Sequence, residues 1–503
     1  MSVNLTPSPD AVRAVAVTVV AEPPPDAAAI VAFLATDGAP PTRTPFTREQ
    51  VERLGFTGKA STVVNLPVAQ GPDVVLVGLG SPAAVDVAAV RDAAGEAARA
   101  VRADPVVVLD VSTLPDAVRA DAHDLGAALV EGVVLGRYSF DELRSSAATA
   151  LVEIVLVVGA AGGDVTEDLE LGAARGLVLA RAGALSRDLA NAPGGHLDAP
   201  ALALVARQVA AESGLEIVVH DRAALVEMGC GGLLGVNAGS VSEPQMIVLR
   251  YRPVVPGEDV PHLGLVGKGI TYDSGGISLK PSNAMHAAMK MDMTGAGAVL
   301  AAMSVLRELG TEVAVSAYLA CTDNMPSGSA TKLGDVLTTR SGRTIEVVNT
   351  DAEGRLVMSD ALTLANEDGV DAIVDVATLT GACLAALGPR TAGLIGTSPD
   401  LVAQVRAAAA RTDEQVWELP LERAYRPWLD SEIADIKNLG GESAGAIVAA
   451  LFLAEWVEDT PWAHLDIAGP MRVDADSAWR VKGATGYGAR LLAEVVSAFR
   501  PPA

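Results

Sequence analysis

The sequence is poor in cysteine, in aromatic residues and in long hydrophobic runs. Its three cysteines, Cys230, Cys321 and Cys383, are far apart and lie in apolar surroundings. Because they are odd in number and widely spaced, they indicate buried thiols of a reducing compartment, not a disulfide framework or a cysteine-rich zinc site. No uncharged apolar run reaches the roughly 18 residues that cross a bilayer, and the N-terminus lacks the basic start and apolar segment of a secretory signal. We therefore expect a soluble, cytoplasmic protein without a membrane partner.

Basic residues are also scarce. The 37 Lys and Arg residues are outnumbered by 62 Asp and Glu residues, which gives a formal charge of −25. Such a charge repels phosphate backbones, so nucleic acid is not expected as a partner, and a secondary DNA-binding role of the N-terminal part is disfavoured. The acidic residues are spread along the chain, and a well-solvated acidic surface explains them.

Two series of alternating strand-like and helix-like segments organise the 503 residues. In the first series, apolar runs such as "AVAVTVVAE" and "DPVVVLDVS" alternate with Ala-rich runs such as "DAAAIVAFLA" and "AAVRDAAGEAARAV". The stretch 159–168 interrupts the alternation, a helical pattern follows from about Thr166 to Asn191, and a second series begins near Ala192. This organisation is typical of α/β layers. The Gly-rich "VGLGS" at a strand end is interpreted as a tight turn, since alone it is a weak phosphate-binding signal.

We predict an α/β protein of two domains joined by a helix. A smaller N-terminal α/β domain covers residues 1–165, a linker helix covers 166–191, and a larger C-terminal domain covers 192–503. The larger domain is expected to contain a mixed, mainly parallel central sheet flanked by helices.

Ionisable side chains gather in three segments of the second series, near strand ends, where open α/β sheets place their ligands. The segments are "LGLVGKGITYDSGGISLK", "MKMDMTGAGAVL" and "EVVNTDAEGR". The seven residues in question are Lys268, Asp273, Lys280, Asp292, Asp351, Glu353 and Arg355.

Four of these residues are carboxylates that could hold metal ions. If the chain stays extended beyond Val348, Asp351 and Glu353 point the same way and repel one another unless a cation lies between them. With Asp273 and Asp292 they supply the set of carboxylate ligands that a two-metal site needs. In such a site, ions roughly 3.5–4 Å apart share carboxylates and a water.

Each of these residues also has a structural explanation. Asp351 and Glu353 could be turn and helix-capping residues, and Asp292 could cap the Ala-rich helix that follows it. Lys268 or Lys280 alone could be a solvated surface lysine. Their coincidence in a few apolar and Gly-rich segments favours the metal-site interpretation.

The octapeptide "NTDAEGRL" (residues 349–356) matches the signature of the leucyl aminopeptidase family, the dinuclear-zinc cytosol aminopeptidases. Further segments resemble blocks of that family in the family's order: "VGKGITYDSGGISLKPS", "MKMDM", "DNMPSG", "VATLTGAC", "SEIADIKNLGG", "WAHLDIAGP" and "KGATGYG". The N-terminal part resembles the smaller, macro-like domain of the family only in pattern, with "VVLVGLGS" as its best match. The resemblance implies that residues 192–503 are a metallo-aminopeptidase catalytic domain.

The resemblance assigns five metal ligands and two metal ions per subunit. The tighter ion would take Lys268, Asp273, Asp292 and Glu353. The more exchangeable ion would take Asp273, Glu353 and Asp351, the last also through its backbone carbonyl, so that Asp273 and Glu353 bridge. Zn²⁺ or Mn²⁺ is implied, with Mg²⁺ or Co²⁺ as alternatives at the exchangeable site. Because a lysine ligates only as the neutral amine, an adjacent dication and burial must lower the pKa of Lys268.

The resemblance also implies the chemistry. A metal-bridging water attacks, as hydroxide, the first carbonyl of a short peptide whose free N-terminus binds a metal. A bicarbonate ion held by Arg355 is the expected general base. Lys280, as an ammonium, stabilises the oxyanion. The chain contains six histidines, and none is required among the ligands.

Met289, Thr378 and Gly381 occupy positions that resemble the family's apolar substrate pocket. Leu and Met side chains are expected to fit there, since a Met side chain is adaptable, although core packing is a simpler role for Met289. The resemblance further implies a homohexamer whose active sites face an internal space, open to short peptides.

Two segments depart from the family's pattern. "PSNAMHAAMKM", between Lys280 and Asp292, is one residue longer than the usual spacing and lacks the usual acidic residue, which puts the pocket shape and the register of Met289 in doubt. "NAPGGHLDAP" replaces the usual "N-x-P-P-N", which we expect to alter packing at the domain junction.

Two other functions compete with this prediction. A different two-metal hydrolase, such as a phosphoesterase, would recruit several histidines, and only His286 and His464 lie near enough in the sequence. A non-enzymatic assembly or regulatory protein could keep the fold, but such a protein has no need of mutually repulsive charges.

Overall fold

The computed structural model describes residues 4–41, 44–160, 165–254 and 260–502. The chain divides into two compact units. Unit 1 consists of Met1–Ala184 with Val473–Gly483, and unit 2 consists of Leu185–Arg472 with Ala484–Ala503. The predicted linker helix has the same bounds as an observed helix, Thr166–Asn191. Residues 161–164, within the stretch predicted to interrupt the first series, lie outside the described residues.

Unit 1 contains a six-stranded sheet with the order β1-β6-β5-β2-β4-β3. Neighbouring strands are parallel except β3, which runs antiparallel to β4. The strands are β1 (Ala16–Val20), β2 (Ala29–Ala35), β3 (Val63–Leu66), β4 (Asp73–Gly80), β5 (Val106–Asp110) and β6 (Glu153–Val157). The helices are α1 (Pro7–Arg13), α2 (Arg48–Arg53), α3 (Val87–Ala100), α4 (Asp116–Arg119), α5 (Ala122–Arg137) and the part of α6 (Thr166–Asn191) that ends at Ala184.

The Ala-rich run "DAAAIVAFLA" does not form the helix that its place in the alternation predicts. Its residues Ala29–Ala35 form β2, in the interior of the sheet. A strand covered on both faces is apolar throughout, so its sequence cannot be told from that of a buried helix by periodicity.

The core of unit 1 includes a side chain from far along the sequence. Trp479 is 1% exposed and belongs to the same apolar cluster as Val90 and Leu129 of α3 and α5. The backbone N–H of Ala478 donates to Glu96 Oε1 at 2.8 Å, which fastens the segment 473–483 to α3. No local pattern in that segment indicates this placement.

Unit 2 is built on an eight-stranded mixed sheet with the order β15-β14-β17-β13-β9-β10-β8-β7. The four pairs β10–β9, β9–β13, β13–β17 and β14–β15 are parallel, and the others are antiparallel. The strands are β7 (Glu216–His220), β8 (Gln245–Tyr251), β9 (His262–Asp273), β10 (Ala314–Asn324), β13 (Ala372–Ala377), β14 (Ala392–Gly396), β15 (Val416–Glu418) and β17 (Trp462–Asp466). The predicted fold class, two α/β domains with a mixed, mainly parallel sheet in the larger, is confirmed.

A three-stranded sheet and ten helices complete the described part of unit 2, and a two-stranded sheet lies at the bounds of the segment 473–483. The three-stranded sheet consists of β11 (Val336–Thr338), β12 (Thr344–Glu346) and β16 (Ile436–Lys437), and the two-stranded sheet consists of β18 (Arg472–Val473) and β19 (Gly483–Ala484). The helices are α7 (Ala199–Ser213), α8 (Arg222–Glu227), α9 (Gly231–Asn237), α10 (Ala284–Ala287), α11 (Thr294–Met303), α12 (Gly354–Glu367), α13 (Gly381–Leu387), α14 (Pro399–Thr412), α15 (Gly445–Ala454) and α16 (Ala489–Ala498).

The topology brings several chain segments to one edge of this sheet. Strands β9, β10, β13 and β17 are consecutive parallel neighbours, so their carboxyl ends lie side by side. Helix α11 packs closely on β9, because Gly267 has no side chain there: a Cβ at Gly267 would lie 2.7 Å from the Cα of Ala296. This edge is where open α/β sheets bind ligands.

Among the described residues, no helix combines the length and the apolar character needed to span a membrane. The three cysteines are all buried free thiols.

Candidate metal centre

Lys268 lies at the centre of a buried cluster of charges at the carboxyl edge of the sheet. It belongs to β9 and is 2% exposed. Its Nζ lies 2.9 Å from Asp292 Oδ2 and 2.8 Å from Glu353 Oε1, and it donates to the carbonyl oxygen of Thr378 at 2.9 Å. All the hydrogen-bonding capacity of the ammonium is directed into the protein, so a surface role for Lys268 is ruled out by its burial.

Three carboxylates form the core of the site. One oxygen each from Asp273, Asp292 and Glu353 lie within 4.8 Å of one another, and all three residues are buried. Asp273 ends β9, while Asp292 follows the 3-10 turn Met289–Met291. The longer segment 281–291 therefore still delivers Asp292 to the site.

Lys280 connects this cluster to Asp351. Its Nζ lies 2.7 Å from Asp273 Oδ2 and 2.5 Å from Asp351 Oδ1. The Asp351 side chain is 33% exposed, and it lies beside the three-carboxylate cluster without forming part of it. Asp351 is thus the more accessible of the four candidate carboxylate ligands.

The ligand loop, residues 348–355, is not extended as the spacing of its charges predicts. The chain turns at Thr350–Asp351, and Glu353 already has helical dihedral angles, φ −78° and ψ −33°. Asp351 and Glu353 consequently reach different lysines, Lys280 and Lys268. The condition under which the two side chains would point the same way, an extended chain, is therefore not met, although both carboxylates lie at the site.

The capping interpretation finds no support for Asp292 or Glu353. Glu353 directly precedes α12, but its side chain makes no capping hydrogen bond. Helix α11 likewise begins without a side-chain cap. The side chain of Asp292 instead accepts a hydrogen bond from the Thr378 hydroxyl, with 2.7 Å between Oγ1 and Oδ1.

The electrostatics of the site reflect crowded negative charge. Burial raises the pKa values of Asp292 and Glu353 above their ordinary range, and repulsion from Asp273 raises them further. Burial alone would lower the pKa of Lys268, but its attraction to Asp292, Glu353 and Asp273 outweighs this, so the pKa of Lys268 lies above its ordinary value. Metal ligation by Lys268 would therefore require cations that take the place of its proton.

The residues fit two divalent cations. Glu353 Oε2 is buried and has no hydrogen-bond partner within the described chain. Burying an unpaired carboxylate oxygen is costly unless a cation or donor meets it. Four carboxylates also balance the charge of two dications, and carboxylate oxygens with one amine suit Zn²⁺ or Mn²⁺.

Arg355, the last residue of the ligand loop, is buried. It is 5% exposed, and its Nη1 donates to the carbonyl oxygen of Asn438 at 2.8 Å. Burial lowers the pKa of Arg355 to about 10, while the charges of Glu353 and Asp466 oppose this effect. Its Nε has no partner among the described residues, so one edge of the guanidinium remains for an anion.

The three predicted pocket residues have different surroundings. Thr378 is at the site, where its carbonyl and hydroxyl contact Lys268 and Asp292. Gly381 opens α13, and a Cβ there would meet nothing within 4 Å, so it borders open space. Met289 is 7% exposed, and its burial is equally consistent with core packing.

Three buried polar residues at the site were not predicted from the sequence. Asn324 donates through Nδ2 to Asp273 Oδ1 and to the carbonyl oxygen of Thr350, both at 2.9 Å. Asp466 accepts hydrogen bonds from the Thr380 hydroxyl at 2.7 Å and from two backbone N–H groups of the 379–380 turn. Asn438 contacts the ligand loop. All three lie in segments that resemble blocks of the family, and this resemblance is the only feature of the sequence that could have indicated a role for them at the site.

The histidines near in sequence do not join the carboxylates. His464 contacts Asp375 Oδ1 through Nδ1 at 2.6 Å, and both side chains are fully buried. Within the described residues, the candidate metal cluster contains carboxylates only. A histidine-rich phosphoesterase site is therefore absent from this edge of the sheet, as far as the described chain extends.

Comparison with known sequences identifies two matching family profiles. The one described as "Cytosol aminopeptidase family, catalytic domain" matches residues 184–493. The one described as "Cytosol aminopeptidase family, N-terminal domain" matches residues 46–147.

Individual proteins match over most of their length. The chain is 44% identical over 468 residues to a "Probable cytosol aminopeptidase" of Streptomyces coelicolor, covering 88% of each chain. It is 43% identical over 433 residues to one of Solibacter usitatus, covering 85% of this chain and 87% of that protein. A solved structure described as "Bottromycin maturation enzyme BotP in complex with Mn" superposes with a TM-score of 0.84 at 38% identity, covering 94% of this chain and 99% of that one.

Proposed function

Because the chain belongs to the cytosol aminopeptidase family, a family of metal-dependent peptide hydrolases, we propose that it releases N-terminal residues, preferably Leu and other apolar ones, from short peptides. One observation carries the proposal. Lys268 and three buried carboxylates converge at the sheet edge, and Glu353 Oε2 has no partner there among the described residues.

The five ligands divide between two ions. Lys268, Asp273, Asp292 and Glu353 hold the tighter ion, and Asp273, Glu353 and Asp351 hold the exchangeable one. The partial exposure of Asp351 supports this division, because a ligand open to solvent favours exchange. When bound, the ions supply Lewis-acid activation of water and of the scissile carbonyl. Zn²⁺ or Mn²⁺ is proposed at both sites, with Mg²⁺ or Co²⁺ as alternatives at the exchangeable one.

Lys280 and Arg355 act as the catalytic pair. Lys280 lies between Asp273 and Asp351; burial lowers its pKa, but the attraction of the carboxylates outweighs this and raises the pKa above the ordinary value. We propose that it acts as an ammonium. An ammonium held there stabilises the oxyanion that develops on the scissile carbonyl. Arg355, whose Nε has no partner within the described chain, would hold a bicarbonate ion, which would supply a general base.

Substrate selection follows from charge and space. A carboxylate-lined site favours the positively charged or metal-ligating free amine of a peptide and disfavours a blocked N-terminus. Gly381, together with Met289 and Thr378, borders the space proposed for the first side chain. The absence of a Cβ at Gly381 leaves room for a branched apolar group such as that of Leu.

We also propose a cytoplasmic homohexamer without nucleic-acid partners. Buried free thiols are consistent with a reducing compartment. Light scattering of the purified protein measures the assembly directly: a mass six times that of the 51.2 kDa chain is expected, and a monomeric mass overturns the hexamer.

The test is the hydrolysis of leucine p-nitroanilide with and without added Mn²⁺ or Zn²⁺. N-acetylated substrate and the Glu353→Ala variant are the controls. Metal-dependent cleavage of the free-amine substrate alone, lost in the variant, is expected. Two bound ions per chain without cleavage of any aminoacyl anilide would overturn the peptidase assignment while leaving the metal site intact.

A further inference from the structure

Asn438 makes an unusual set of contacts with the ligand loop. It follows β16 and is fully buried. Its Oδ1 accepts from the backbone N–H groups of Val348 at 2.9 Å and Asn349 at 3.4 Å. Its Nδ2 donates to the carbonyl oxygens of Asn349 at 2.7 Å and Ala352 at 3.2 Å. The amide thus uses its two acceptor positions and its two donor positions on this single loop.

The backbone groups of Asn438 also form hydrogen bonds near the ligand loop. Its N–H donates to the carbonyl oxygen of Glu346 in β12 at 3.0 Å. Its own carbonyl oxygen accepts from Arg355 Nη1 at 2.8 Å. Asn438 therefore contacts the strand before the ligand loop and the loop itself, including Arg355 at its end.

The carbonyl groups of the loop show what this arrangement accomplishes. The carbonyls of Asn349 and Ala352 accept from Asn438, and that of Thr350 accepts from Asn324 Nδ2. Within the described chain, no group donates to the carbonyl oxygen of Asp351. Among residues 349–352, the carbonyl without a donor is therefore that of Asp351, which the proposed function gives to the exchangeable ion.

We propose that Asn438 is a positioning residue, which fixes the ligand loop so that the side chain and the carbonyl of Asp351 are held for the exchangeable metal ion. The inference rests on the proposed function. An asparagine suits this role because it offers donors and acceptors in one plane at the required reach. An aspartate lacks the donors, and its charge would face two carbonyl oxygens.

The contacts also predict which ion depends on Asn438. Its four side-chain hydrogen bonds end on Val348, Asn349 and Ala352, on both sides of Asp351. Glu353 is held separately, through Lys268 at 2.8 Å. Loss of the Asn438 amide therefore weakens the exchangeable ion more than the tighter one.

The experiment compares Asn438→Ala and Asn438→Asp with Asn237→Ala. Asn237 is also a fully buried asparagine of unit 2, and its Nδ2 donates to the Ser242 carbonyl at 2.8 Å and to Thr322 Oγ1 at 2.9 Å, away from the ligand loop. Ions per chain are counted by mass spectrometry after dialysis against a series of Mn²⁺ concentrations, and thermal unfolding of the metal-free proteins is recorded in parallel.

In both Asn438 variants, the affinity of the exchangeable site for Mn²⁺ should fall by about 10- to 100-fold, the range found for residues that support metal ligands. Their anilidase activity should recover in part at high Mn²⁺. Asn237→Ala should lose thermal stability but keep the wild-type dissociation constants. Wild-type Mn²⁺ binding in both Asn438 variants, or equal weakening in Asn237→Ala, would overturn the proposal.

Hydrogen exchange of the wild-type protein gives a second test, which decides the matter if neither Asn438 variant folds. The backbone N–H groups of Val348 and Asn349, which donate to Asn438, should be protected from exchange in the metal-free protein. Exchange of both groups at the unprotected rate would overturn the proposal. If the wild type binds no metal at all, the proposed function has failed. The failure of this inference is different: it shows as normal metal binding together with insensitivity to Asn438.

Discussion

The Cα of Gly354 lies directly against the side chain of Lys268. A Cβ built on Gly354 would stand 2.7 Å from both Cε and Nζ of that lysine. Real atoms do not approach so closely, so the start of α12 and the amine of Lys268 can share this space only when residue 354 has no side chain. The first turn of a helix and a candidate metal ligand thereby constrain each other.

The substitution Gly354→Ala should displace the Lys268 side chain and reduce metal content and peptidase activity by more than about 10-fold. Changes to residues that only support metal ligands already cost about 10- to 100-fold, and displacement of a ligand should cost at least as much. Helix propensity itself favours Ala over Gly by about 1 kcal/mol, so unfolding of α12 is not the expected cause. Gly328→Ala is the matched control, because a Cβ there would meet nothing within 4 Å. Unchanged metal content in Gly354→Ala would contradict this expectation.

Thr378→Val removes a hydroxyl while keeping the shape of the side chain. The Thr378 hydroxyl donates to Asp292 Oδ1 at 2.7 Å, so its loss should weaken metal binding by about 10- to 100-fold. Thr363→Val, at another buried threonine whose hydroxyl donates to the Ser359 carbonyl oxygen within α12, should leave metal binding unchanged. Isothermal titration with Mn²⁺ measures the metal affinity of both variants. A change in the KM for leucine p-nitroanilide without a change in metal affinity would assign Thr378 to substrate binding instead.

Gly381→Val tests the space proposed for the first side chain of the peptide. Because a Cβ at Gly381 would have no neighbour within 4 Å, the valine should be accommodated by the fold and occupy the pocket. The KM for leucine p-nitroanilide should rise at least about 10-fold, corresponding to roughly 1.4 kcal/mol, with a smaller rise for the alanine analogue. An equal rise for both substrates would argue against a pocket at this position.

Asp375 supports the sheet beside the site and should matter for stability. Its two oxygens accept from Trp462 Nε1 and contact His464 Nδ1, each at 2.6 Å, and both partners are fully buried. Asp375→Ala should lower the free energy of unfolding by about 3–5 kcal/mol, because it leaves these groups buried without a partner. Asp371→Ala, which removes an exposed acceptor for the His262 N–H, should cost about 1 kcal/mol in the same urea titration. Similar losses in the two variants would contradict this expectation.

The cysteines should be unreactive in the folded protein. Burial raises the pKa values of Cys230 and Cys383 to about 12, and it raises that of Cys321 as well. A thiol of pKa 12 is only about one part in 10,000 thiolate at pH 8, and the thiolate is the reactive form. An aromatic disulfide reagent should therefore detect three thiols per chain after denaturation and almost none before. A rapidly reacting thiol in the native protein would reveal local opening.

Much of the site could be predicted from the sequence, because its charged residues lie in short segments with strong local signals. Lys268, Asp273 and Glu353 lie where an apolar strand or turn meets a Gly-rich or helical segment, and a charge in such a place needs an explanation. The resemblance to the aminopeptidase family, confirmed by the matching profiles, rests on the same segments.

The parts that could not be predicted depend on contacts between distant residues. Asn324 and Asn438 carry no charge and no periodic signal, and their role emerges only when β10 and β16 bring them to the ligand loop. The turn at Thr350–Asp351 was one of two alternatives left open by the sequence, because strand-like residues precede it and nothing local decides between a turn and an extended chain. Strand β2 was missed because burial on both faces removes the alternation that marks a strand.

Trp479 has a consequence for the biosynthesis of the protein. The segment Val473–Gly483 belongs to unit 1, and Trp479 is 1% exposed in the core of that unit. The ribosome therefore synthesises residues Met1–Ala184 long before it reaches Trp479, which completes the core of unit 1. A fragment that ends at Ala184 lacks this tryptophan, so we expect unit 1 to reach its final packing only when almost the whole chain has been made.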